Sequence, residues 1–101
     1  MEFRGHDVLL SRMYECVKDD LRRESHRIPM GRLFPDLDRS DRNAVERAIK
    51  HLVTANYDIG TGKEFKMVGL VTKVEYLDDE DVFVVELSSN AEKLFDMMLN
   101  R

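Results

Sequence analysis

The side chains best suited to chemistry lie between Arg39 and Thr54, and the chemistry they suit is recognition of a phosphodiester. Asn43, Arg47, Lys50 and Thr54 recur at three- and four-residue spacing, so a helix would set them along one side. Arginine and lysine reach guanine edges or phosphates, and asparagine pairs bidentately with adenine, which makes this a set that a recognition helix would use. Arg39, Ser40 and Arg42 stand at the start of that helix, where backbone N–H groups and the positive end of the dipole favour a phosphate. From Arg39 to His51 the cations Arg39, Arg42, Arg47 and Lys50 face only Asp41 and Glu46, a local balance of +2. The same side chains also fit the solvated face of an amphipathic helix, so the surrounding elements must decide between the two.

Other chemistry is thin. His6, His26 and His51 have no metal-ligand spacing, and there is no G-x-S-x-G, P-loop, C-x-x-C or H-E-x-x-H. Cys16 flanks an apolar stripe and reads as packing. The expectation is therefore a binding protein and not an enzyme, with no cofactor, metal or small-molecule substrate. Lys18, Arg22, Arg23 and Arg27 interleave with Asp19, Asp20 and Glu24, which reads as mutual pairing. Lys63, Lys66 and Lys73 could meet phosphates from a hairpin, but Asp78-Asp79-Glu80-Asp81 would be repelled by DNA. Those acids lack the spacing and glycine of a calcium loop, so they read as a solvated turn. Either that turn points away from a duplex or it meets a basic partner protein.

The elements that must position these residues follow from periodicity. Leu9, Leu10, Met13, Val17 and Leu21 predict an amphipathic helix from Asp7, its cap, to about Arg23. Ile28 is extended before Pro29, which opens a short helix carrying Leu33 and Phe34 inward until Pro35 stops it. After a tight connection over 36–40, Ser40 caps a third helix running to about Asn56, with Val45, Ala48, Ile49, Leu52 and Val53 buried. Asn56, Gly60 and Gly62 begin a turn-rich stretch in which Tyr57 and Ile59 suit short β structure. Val68, Leu70, Thr72, Val74 and Tyr76 alternate as one face of a strand within 63–77, and Val82 to Leu87 returns as its antiparallel partner. Ser89 and Glu92 form an S-x-x-E capping box for a last helix burying Leu94, Phe95 and Met98. The expected fold is α+β: a winged helix-turn-helix of about four helices with an antiparallel β-hairpin wing.

With 101 residues the chain suits one domain spanning 1–101. It is 43% hydrophobic and 36% charged, a mix that builds a core under a solvated surface. No apolar run approaches the roughly 20 residues of a membrane span, no secretory signal opens the chain, and the single cysteine forms no internal disulfide. A cytoplasmic protein without membrane contact is expected. The net charge of −4 and pI of about 5.3 count against DNA, although phosphate contact depends on the face presented and not on the sum.

The first-helix stripe, Arg27-Ile28-Pro29-Met30 leading into a short helix, and the continuous segment from Val68 to Phe95 together resemble a winged-helix domain of the plasmid replication initiator proteins. In that family a strand, an acidic or glycine-containing turn, a second strand and a short helix follow the helix-turn-helix in this order. The resemblance implies origin double-stranded DNA as partner, contacted through Asn43, Arg47 and Lys50, and self-association into a homodimer through the hairpin. Those initiators generally carry two winged-helix domains, so the chain is expected to be one domain of a larger initiator, a stand-alone regulator, or an unrelated winged helix with the same element order. The alternative expectation is a protein-interaction or dimerisation winged helix that binds no DNA by itself.

Overall fold

The computed structural model describes residues 8–60 and 62–100, which form a small α+β fold of four helices and antiparallel sheets. Asp7, the expected cap of the first helix, and His6 lie outside the described residues. Helix α1 spans Val8–Val17 and buries Leu9, Leu10, Met13 and Val17, the expected stripe. It ends well before Arg23, and Leu21 packs half-buried beyond it. Helix α2, Met30–Leu33, is a single turn that begins after Pro29. Helix α3 spans Arg42–Val53, and α4 spans Ala91–Leu99.

The segment before α2 departs from expectation. His26–Pro29 is a strand, β1, where sequence patterning gave only an extended dipeptide. It pairs antiparallel with β5 (Val82–Leu87), which also pairs with β4 (Val71–Leu77), so the sheet order is β1-β5-β4. The hairpin is therefore not a free two-stranded ribbon: β1 covers one edge of β5, and β4 retains the exposed edge. Pro29 is tolerated at this position because β1 is itself an edge strand, where a missing N–H breaks no ladder on the outer side.

The expected long strand over 63–77 is divided. Met67–Gly69 forms β3, which pairs with β2 (Asn56–Asp58) in a separate two-stranded sheet. Val71–Leu77 turns into the main sheet, with a register shift between Val71 and Lys73. One extra residue reverses the parity of the strand. Val71 is thus buried and Thr72 exposed, whereas Val74 and Tyr76 beyond the shift point partly inward.

The core lies between the helices and the main sheet. Leu10, Met13, Leu33, Leu52, Leu70, Phe83, Val85 and Leu94 are fully buried within one cluster. Phe83 is held between Phe34 and Tyr76, with ring centroids at 5.9 and 5.4 Å. Three buried positions on α3, Val45, Ala48 and Leu52, turn its inner side to this core. Ile49 is only half-buried, and Val53 is 51% exposed, because each lies one residue, about 100° round the helix, from the inner line of Ala48 and Leu52.

Candidate nucleic-acid interface

The start of α3 is set by Asp41 and not by Ser40. The Asp41 Oδ1 atom accepts N–H bonds from Asn43 at 3.0 Å and Ala44 at 3.2 Å. Ser40 is diverted by Asp38, whose Oδ1 accepts both the Ser40 N–H at 2.9 Å and its hydroxyl at 2.6 Å. These two bonds hold the Asp38 carboxyl below its ordinary value. The free N–H groups expected to receive a phosphate at this helix end are in part already satisfied by a carboxylate of the chain.

On the outward side of α3, Asn43, Arg47, Lys50 and Thr54 are all exposed, as helical spacing requires. Thr54 is the C-cap residue, and its hydroxyl donates to the Lys50 carbonyl at 2.7 Å. The Lys50 ammonium lies 3.2 Å from Glu46 one turn earlier, an exposed pair of the weak kind. Among the described residues Arg47 has no ion-pair partner, which leaves its guanidinium the most available cation on this face. It stands at the lip of an open cleft of about 650 Å³ between α3 and the segment 34–38, where Arg12 and His51 also lie.

Arg39 and Arg42 are placed differently from what their positions in sequence imply. The turn Asp78-Asp79-Glu80-Asp81 between β4 and β5 folds beside them. Arg42 lies 3.8 Å from Asp78, and Arg39 lies 3.7 Å from Asp81 and donates to the Asp78 carbonyl at 3.5 Å. Arg27 of β1 pairs with Glu80. The backbone fixes the turn here: the Met30 N–H donates to the Asp81 carbonyl at 3.0 Å, and β1 pairs with β5 through Pro29 and Val82. Asp81 takes a positive φ of 56°, which a short acidic side chain tolerates, and its carboxylate accepts the Tyr76 hydroxyl at 2.9 Å. Burial first, and then this bond, push the Tyr76 phenol above its ordinary value. The four acids are exposed or nearly so, as expected of a turn, but Asp78 and Asp81 face the arginines at the start of α3 and Glu80 faces Arg27. Adding Asp78 and Asp81 to the residues from Arg39 to His51 brings the local balance from +2 to zero.

Cys16 and His26 lie on other elements, α1 and β1. Cys16 is a free, half-buried thiol, raised above its ordinary value chiefly by burial. His26 is buried on β1, and its Nε2 has no hydrogen-bond partner. No group of three or more potential metal ligands occurs among the described residues. The capping box expected from Ser89 and Glu92 does not form: Asn90 is the N-cap of α4 without a side-chain bond, and Ser88 makes the entry turn. Its Oγ accepts the Asn90 N–H at 3.1 Å and donates to the Gly69 carbonyl at 2.6 Å.

No protein-family model matches the chain, and no curated protein or solved structure matches it significantly. No described helix is long and apolar enough to cross a membrane.

Proposed function

We propose that the chain is a winged-helix domain that binds double-stranded DNA, laying α3 in the major groove with the β4–β5 hairpin as its wing. The observation that carries this reading is the outward face of α3, where Asn43, Arg47 and Lys50 are exposed together and Arg47 has no ion-pair partner among the described residues. The frame around it supports the same reading. A strand between the first two helices pairs with the last strand of the sheet, and α3 packs on β4 of the hairpin, an arrangement compatible with a recognition helix and its wing. The resemblance of the segment from Val68 to Phe95 to plasmid initiators makes origin DNA the proposed target.

Fluorescence anisotropy with duplex DNA at low and moderate salt tests the reading. Arg47→Ala with Lys50→Ala should weaken binding and flatten the plot of log affinity against log salt by about 1.8 if both residues neutralise phosphates. Binding by this variant equal to that of the parent at every salt concentration would remove α3 as the interface.

A second reading, docking on another protein, is favoured by the β2–β3 hairpin, where Phe65 is 88% and Met67 60% exposed. Light scattering tests its self-association form, and a monomer at high concentration would exclude it.

A further inference from the structure

We propose that the acidic turn between β4 and β5 is an internal phosphate mimic that competes with DNA for Arg39 and Arg42, an autoinhibitory contact that rests on the DNA-binding reading of α3. Both arginines stand at the end of α3 where a duplex lying along Asn43 and Arg47 would bring its backbone. Both already face carboxylates of the turn, Asp81 at 3.7 Å and Asp78 at 3.8 Å, and a third pair, Arg27 with Glu80, adjoins them. At 3.7 and 3.8 Å these are ion pairs rather than hydrogen bonds, and a phosphate would compete for the same two guanidinium groups.

The contact is built in, because the Asp81 carbonyl is held by the Met30 N–H and the turn is continuous with two paired strands. The side chains are nevertheless solvated, with Arg39 58% and Arg42 79% exposed, so a phosphate can displace a carboxylate without unfolding the turn. An arginine held by a carboxylate neutralises no phosphate, and so releases no counterion from the DNA, until that pair is broken. The turn thus lowers both affinity and salt dependence at this end of the helix while leaving Arg47 unaffected. At the N-cap, the Asp41 carboxylate separately occupies two backbone N–H groups, those of Asn43 and Ala44.

The test is a double-mutant cycle in the full chain, read by anisotropy on duplex DNA. One arm is Asp78→Asn with Glu80→Gln and Asp81→Asn. Asparagine tolerates the positive φ at position 81 and keeps an oxygen for the Tyr76 hydroxyl, so the fold is retained, as circular dichroism should verify. The other arm is Arg39→Gln with Arg42→Gln. The turn variant should bind about tenfold or more tightly at low salt, with a salt slope steeper by about 1.8, and this gain should vanish when both arginines are absent. A gain of equal size in both backgrounds would be a general charge effect and would overturn the mimic, as would no gain at all. Either result leaves the DNA-binding reading standing if Arg47→Ala with Lys50→Ala still weakens binding. No binding by the folded parent or by the turn variant, even at low salt, would overturn both.

Discussion

Replacing Asp41 with alanine tests where α3 begins and what satisfies its first amides. The substitution removes the acceptor of two backbone N–H groups, those of Asn43 and Ala44, and a negative charge beside the positive end of the helix dipole. Loss of an N-cap side chain costs about 1 kcal/mol, and loss of the charge adds roughly 0.3–1 kcal/mol at an exposed site. An unfolding entropy of about 2.1 cal/mol/K per residue is roughly 0.2 kcal/mol/K for a chain of this length, so the summed loss corresponds to a fall in Tm of about 5–10 °C. Asp41→Asn should recover most of it, because the amide oxygen still caps. Ser40→Ala should lower Tm by much less, since it removes only the exposed hydroxyl bond to Asp38. Thermal unfolding by circular dichroism at neutral pH separates these cases. If Ser40→Ala proved as damaging as Asp41→Ala, the cap would be Ser40 and the account of a self-satisfied helix end would fail.

Phe83→Ala should be among the most damaging single changes, at about 3–5 kcal/mol, because a fully buried ring packed on Phe34 and Tyr76 leaves a cavity that the central strand cannot close. A loss below about 1 kcal/mol in urea titration would contradict that packing. Desolvation, followed by the nearby Arg23 charge, depresses the His26 pKa in the folded state, so the unfolded chain binds the proton first as pH falls. Stability from this group is complete above the ordinary histidine value of about 6.5 and is lost as pH falls through the lower folded value. His26→Phe should flatten the stability profile as pH falls below about 6.5, and an unchanged profile there would discount the effect. At Gly60 an added β-carbon would collide with the Glu64 carbonyl, so Gly60→Ala should loosen the β2–β3 hairpin and speed exchange of the Ile59 amide, which now bonds to Lys66 at 2.8 Å. Unchanged exchange would show that the turn relaxes freely.

Periodicity made much of the molecule legible. The α1 stripe, the inner side of α3, the β4–β5 hairpin and the apolar residues of α4 all follow from spacing, because each buries one face against a single core. Contacts between distant segments were not legible. β1 is four residues long, contains a proline and alternates in burial only because β5 lies beside it. Ser40 and Asp41 are both good caps, and Asp38 decides between them by capturing the serine. Thr72 fits a strand alternation until the register shift turns it outward. The exposed face of α3 followed from helical spacing. The acids beside Arg39 did not, since the Arg39–Asp78 contact spans 39 positions and only the assembled sheet brings them together.

Leu70 lies at the point where β3 gives way to β4, and it is fully buried. Its N–H donates to the Ala55 carbonyl at 3.2 Å, and its own carbonyl accepts the Ser88 N–H at 2.9 Å. This one peptide segment therefore rivets the end of α3, the small sheet and the entry to α4 to one another. Its amide should be among the last in the molecule to exchange with deuterium, through global unfolding and not local opening. A protease that nicked the exposed loop at 62–66 would then leave two pieces still clamped together, migrating as one particle until denatured.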